Sequence, residues 1–159
     1  MRIEYAAADP LGLALIWNGA KLSELGLVWF KDISGELAPA SPEGAALQQA
    51  LQTYVQGREP RWPALPLDFE RFSPFARNVL LLLKDNIAFG ETTSYGRLAA
   101  MAGNPRAARA VGRVMAMNPY PLVVPCHRVV GSTGQLTGFS GSGIPMKRFL
   151  LELEGGRAK

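Results

Sequence analysis

The chain has few of the side chains that most often carry chemistry. Its 159 residues include one cysteine, Cys126, and one histidine, His127, and the two are neighbours. One cysteine excludes a disulfide framework, and one cysteine with one histidine excludes a Cys/His zinc site. Long apolar runs are missing as well. The longest aliphatic stretch, Val79-Leu80-Leu81-Leu82-Leu83, is far short of the ~20 residues a membrane helix needs. No basic-then-apolar leader opens the sequence, so a cytoplasmic protein without a membrane partner is expected. Repeats and low-complexity tracts are absent too. What the chain does have is 48% hydrophobic residues, enough for a packed core, and this excludes a disordered chain.

Charge is unevenly placed. Residues 1–70 carry 5 Lys+Arg against 9 Asp+Glu, whereas residues 71–159 carry 12 against 4. An acidic first half followed by a basic second half points to a polyanion partner for the second, and nucleic acid is the leading candidate. The plainer alternative is that the two halves attract each other.

The first thirty residues read as β structure. Leu11–Trp17 and Leu25–Phe30 are apolar and flank Asn18-Gly19, a hairpin signal, and Met1–Tyr5 supplies a third strand. Ser41-Pro42-Glu43 reads as a helix start, with Ser as N-cap and Pro in the first turn, and Gly57 as the stop. A Pro- and Arg-rich stretch then marks a boundary within 57–72. Ser73-Pro74 opens a second helix that ends near Asn86, and Ser94 caps a third over Tyr95–Met101. Gly103-Asn104-Pro105 breaks the third, and Pro105 starts a fourth over Arg106–Met117. Two short helices about a glycine-containing turn form a helix-turn-helix, although an ordinary helical hairpin has the same pattern. Pro145 starts a last helix over Met146–Glu154. The expected fold class is therefore α/β in the α+β sense. Residues 1–70 form a small sheet-helix domain, and residues 71–159 form a helical domain with the helix-turn-helix.

On the fourth helix Arg106, Arg109 and Arg113 share one face, and Ala107, Val111 and Val114 form the core-facing stripe. Ala108, Gly112 and Met115 lie between as a strip of little bulk. No acidic residue occurs from 92 to 151, so the arginine row reads as phosphate-facing. The Cys126-His127 pair lies between β-branched and aliphatic flanks, in a segment expected to be buried and extended, with a kink at Pro125. Either residue alone reads as structural. Together they suggest a thiol activated by an imidazole, which needs a third group to orient it; Glu152 and Glu154 are candidates. Three classes stay open on the residues alone: a thiol hydrolase, a thiol that accepts a group from a nucleic acid, and a helix-turn-helix module with an incidental cysteine.

Pro125-Cys126-His127-Arg128-Val129-Val130 resembles the active-site motif of the O6-alkylguanine-DNA alkyltransferases. The resemblance extends over roughly residues 73–155. Gly90–Ala99 is similar to that family's strand-to-helix segment and Ala102–Gly112 to its turn and recognition helix. Asn118-Pro119, loop 138–141 and Leu150–Gly155 follow in the family's order. It implies direct reversal of O6-alkylguanine, and also of O4-alkylthymine, in double-stranded DNA bound through the minor groove. Cys126 would be the alkyl acceptor, His127 a base acting through a water, and Glu154 the residue that orients it. Asn118 would be the hinge, Tyr95 the donor to the leaving guanine, and Arg109 the side chain that enters the stack. Arg106, Arg113, Ala108, Gly112, Met115, Ser94 and Ser132 would face DNA. Val129, Phe139, Ser140 and Gly141 would line the guanine pocket, with Phe139 standing where many members have tyrosine. No cofactor or metal is implied. A monomer is expected, with cooperativity on DNA left open, at the nucleoid of a prokaryote or in a eukaryotic nucleus. The alternative within this resemblance is a non-catalytic alkyltransferase-like module, a class that lacks the acceptor cysteine. An electrostatic contact from Arg128 to an acid of the first domain is left open, with Asp9, Asp32 and Asp68 as unranked candidates.

Overall fold

The computed structural model describes residues 1–138 and 143–155. The chain divides into two compact units, Met1–Asp68 and Phe69–Lys159, and the fold is α+β.

The first unit is an antiparallel meander, β1 (Arg2–Ala8), β2 (Leu11–Asn18) and β3 (Lys21–Trp29), covered by helix α1 (Pro42–Tyr54). Alternation along β2 sends Leu11, Leu13, Leu15 and Trp17 to one face, where they are buried. Register slips between Ile16 and Trp17. This bulge is why Leu22 and Leu25 of β3, of opposite parity, both turn inward. Leu47, Leu51 and Tyr54 of α1 close the core from above; each such buried side chain contributes roughly 1.5–3 kcal/mol. Ser41 caps α1 as its sequence promises, its hydroxyl accepting from the Gly44 N–H at 3.0 Å. The hairpin turn sits one residue later than Asn18-Gly19 suggested. Asn18 pairs with Lys21, so Gly19 and Ala20 form the loop, and Gly19 takes the positive φ of 60° that favours glycine.

The second unit carries α2 (Pro74–Asn86), a two-residue strand β4 (Thr93–Ser94), α3 (Tyr95–Met101), α4 (Ala108–Ala116), strand β5 (Val129–Val130) and α5 (Gly143–Leu153). Ser73 and Ser94 cap α2 and α3 by accepting from Ala76 N and Arg97 N. β4 and β5 pair in parallel, Thr93 with Val129 and Ser94 with Val130. The entry to α3 is thereby fastened to the segment just after Cys126. Val79, Leu83, Leu98, Val111, Val114, Tyr120, Met146 and Leu150 fill the core.

Three expectations need correction. α4 begins at Ala108, not at Pro105, because the Asn104 side chain accepts from Arg106 N and its carbonyl from Ala107 N, making a turn there instead. Arg106 therefore precedes the helix and is not part of its arginine row. Cys126-His127 is not in an extended segment: Cys126–Arg128 form one turn of 3-10 helix. α5 starts at Gly143, ahead of Pro145. No helix among the described residues is long and apolar enough to cross a membrane.

Candidate active site and nucleic-acid interface

The turn that carries Cys126 is built by backbone bonds at both ends. Cys126 N donates to Val124 O at 2.8 Å and Arg128 N to Pro125 O at 3.0 Å, so Pro125 leads directly into the 3-10 geometry. A turn lets consecutive side chains diverge by less than the half-turn a strand imposes. Ahead of it, Leu122 is buried with φ of 71°, a left-handed conformation that costs a non-glycine residue about 1–3 kcal/mol. Asn118 holds this conformation in place. Its Nδ2 donates to Val124 O at 2.9 Å, and its Oδ1 accepts from Tyr120 N at 3.0 Å. Asn118→Ala removes the acceptor of Tyr120 N and leaves Val124 O with the Cys126 N–H of its two donors. It is expected to cost about 1–3 kcal/mol in urea unfolding, and a loss under about 0.5 kcal/mol would contradict this role.

Behind the turn lies a buried charged cluster. His127 Nε2 meets Glu154 Oε2 at 2.6 Å; Arg128 donates through Nε to Glu154 Oε1 at 2.9 Å and through Nη2 to Oε2 at 3.3 Å. Arg128 Nη1 also donates to Ile87 O at 2.7 Å, and Gly90 N to Glu154 Oε1 at 3.3 Å. Arg128 thus bonds Glu154 and Ile87, both in its own unit. Burial by itself pushes Glu154 up, but hydrogen bonds and charges from His127 and Arg128 outweigh it and bring its pKa down to about 2. Burial lowers His127 below its ordinary 6.5 and prevails over the raising effect of Glu154, with Arg128 and Lys147 adding to the lowering. The reading consistent with both is an ionised Glu154 neutralised chiefly by Arg128, with a neutral His127. Nε2–H then donates to Glu154, and Nδ1, which has no hydrogen-bond partner among the described residues, is left as a buried acceptor available to a proton.

This cluster predicts a pH dependence of stability. The unfolded chain protonates His127 more readily than the folded one, so stability is lost as pH falls below about 6.5. Glu154 adds a second loss as pH falls from 4.5 toward 2. Urea unfolding between pH 7.5 and 5 should show a falling free energy, and a flat profile would argue against a neutral buried His127.

The face that α3 and α4 present is open. Tyr95 of α3, Ala108, Arg109, Gly112 and Ala116 of α4, and Thr137 and Gly138 line a cleft of about 670 Å³. Arg109 and Arg113 are exposed on α4, while Val111 and Val114 are buried as its core stripe. Met115, assigned to the small strip, is instead buried with that core, and Ala116 takes its place at the cleft. Arg106 and Ser132 are exposed in turns, and Ser94 is occupied in capping α3. Tyr95 Oη and Thr137 Oγ1 are 2.5 Å apart. Val129 is buried, and its carbonyl accepts from Lys147 Nζ at 2.6 Å. Phe139, Ser140 and Gly141 lie outside the described residues.

Two residues were missed on sequence, Lys147 and Thr137. Lys147 had a signal: it falls in helical register with Leu150, Leu151 and Glu154, on the apolar stripe of α5. Thr137 sits in an irregular segment and had none.

Residues 74–156 match the family model described as 6-O-methylguanine DNA methyltransferase, DNA binding domain, over slightly more than half the chain. The chain belongs to the O6-methylguanine-DNA methyltransferase family. The methylated-DNA–protein-cysteine methyltransferase of Mycobacterium tuberculosis is 57% identical over 168 aligned residues, covering 98% of this chain and 94% of that protein. Its crystal structure superposes with a TM-score of 0.75 over 99% of this chain and 94% of that one, with 34% of superposed residues identical. The mouse methyltransferase is 50% identical over 93 residues, 58% of this chain and 44% of its own length, so the match spans less than half of that relative. In this methyltransferase-family chain, the matched region holds Tyr95, α4, Asn118, Cys126-His127 and Glu154 together.

Proposed function

We propose that the chain reverses alkylation of guanine O6 in double-stranded DNA by transferring the alkyl group to Cys126. The observation that carries this reading is the buried chain Cys126-His127–Glu154–Arg128, in the same unit as a cleft that a basic helix borders. The M. tuberculosis relative, solved in complex with DNA, supports a DNA partner. Small residues Ala108 and Gly112 beside Arg109 support close approach to the minor groove.

The lesion carbon is out of reach inside a duplex, so its nucleotide rotates out at a cost of a few kcal/mol, which Arg109 offsets by filling the gap. Nδ1 of His127 takes the thiol proton through a water. The sulfur forms a bond to the alkyl carbon as the bond to O6 breaks, and that electron pair returns to the guanine, which ends protonated on its ring. Tyr95 donates to the base as negative charge develops. The product thioether has no easy reversal, so each molecule acts once. The same chemistry extends to O4-alkylthymine.

Titrating a duplex containing O6-methylguanine with increasing protein tests this. Repair should plateau in proportion to protein added, at about one lesion per molecule. Many lesions repaired per molecule would instead favour a hydrolase. Binding without loss of the lesion would favour the non-catalytic module, a reading that Cys126 disfavours.

A further inference from the structure

We propose that Lys147 is a positioning residue for this reaction: its buried side chain ties the Val129 and Thr137 carbonyls together and sets a fixed positive charge at the end of the turn that carries Cys126. The inference rests on Cys126 being the reacting atom. Lys147 is 1% exposed on the inner face of α5. Its Nζ donates to Val129 O at 2.6 Å and to Thr137 O at 3.5 Å, and lies 5.9 Å from the Tyr95 ring centroid. Val129 follows the acceptor turn directly, and the Thr137 hydroxyl bonds Tyr95. One ammonium thus joins the segment bearing the nucleophile to the segment and side chain facing the leaving base.

Its charge is the unusual part. Among the described residues, no carboxylate lies within ion-pair distance of Lys147. A buried ammonium without an anion is costly, and carbonyl dipoles and a ring face compensate it only in part. Burial lowers Lys147 from the ordinary lysine range, while the Cys126 charge raises it. The charged groups packed about this segment are His127 and Arg128 from the acceptor turn and Glu154 beyond α5, with Tyr95 of α3 against the Lys147 ammonium. Arg128 and Glu154 offset each other, and His127 is neutral. Lys147 is left as the uncompensated charge, and a sulfur anion is the species it stabilises.

A purely structural lysine would need only its hydrogen bonds. Lys147→Gln retains a donor without the charge, and Lys147→Met removes both. The readout is the rate of Cys126 alkylation by iodoacetamide against pH, which needs no DNA and does not depend on the repair reading. In both variants, the profile should move to higher pH by about one unit, slowing alkylation at pH 7 about tenfold. A folded Lys147→Gln with the wild-type profile would overturn the proposal. Should neither variant fold, the wild-type protein decides. The Lys147 Cε resonance, titrated before and after methylating Cys126 with methyl iodide, should show a lower midpoint once the sulfur is capped. An unchanged midpoint would overturn it. If the iodoacetamide profiles behave as expected but the wild type leaves O6-methylguanine in DNA untouched, the repair reading fails and the role of Lys147 stands.

Discussion

Glu154→Ala is expected to destabilise the chain by about 3–5 kcal/mol and to slow alkyl transfer to Cys126 by about 10²–10⁴-fold. The stability loss follows from what remains. Arg128 stays buried with Ile87 O as its remaining partner, while both of its bonds to the carboxylate and the His127 bond disappear. Breaking a buried pair from one side leaves an uncompensated charge, the costly case. The rate loss has a separate cause: without the acceptor at Nε2, the imidazole no longer keeps Nδ1 as its basic nitrogen. Glu154→Gln separates the two. It preserves shape and an acceptor oxygen, so stability should fall less than in the alanine variant while the rate still drops. Arg128→Met combined with Glu154→Gln should cost less than the sum of the single changes, as expected for one coupled unit. Urea unfolding and single-turnover alkylation measure these effects. A fully active, fully stable Glu154→Ala would remove the cluster from the account.

Arg109→Ala should slow repair of O6-methylguanine in a duplex by about 10–100-fold while leaving reaction with free O6-methylguanine within about twofold. Arg109 is exposed, borders the cleft beside Tyr95, and bonds to nothing in the cluster behind Cys126. Its removal therefore leaves the nucleophile unchanged. What is lost is compensation for the unstacked gap, worth a few kcal/mol at most. Arg113→Ala, on the same exposed side of α4, serves as the contrast. A phosphate contact weakens binding for all sequences and reduces its salt dependence, without separating duplex from free base. Equal losses on both substrates in Arg109→Ala would refute its part in extruding the base.

Much of the framework was legible because its signals are local. Ser41-Pro42, Ser73-Pro74 and Ser94 each cap a helix through a side chain acting on a backbone N–H nearby in sequence. Val111 and Val114 likewise followed from helical spacing. What was not legible depends on contacts distant in sequence. Nothing near Arg128 announces Glu154, 26 residues away, as its partner. The Cys126 turn looked like a strand because its flanks are β-branched, yet bonds from Val124 and Pro125 impose a 3-10 turn. Pro105 looked like a helix start until Asn104 captured the following backbone. Lys147 was given no role on sequence, although its stripe on α5 is apolar.

The central claim is that Cys126 accepts the alkyl group and keeps it. Peptide mass spectrometry after mixing the protein with a duplex containing O6-methylguanine tests that most directly. The account predicts a gain of one CH2 on the peptide bearing Cys126, in proportion to lesions lost, and no gain in Cys126→Ala. Loss of the lesion with Cys126 unmodified would contradict it.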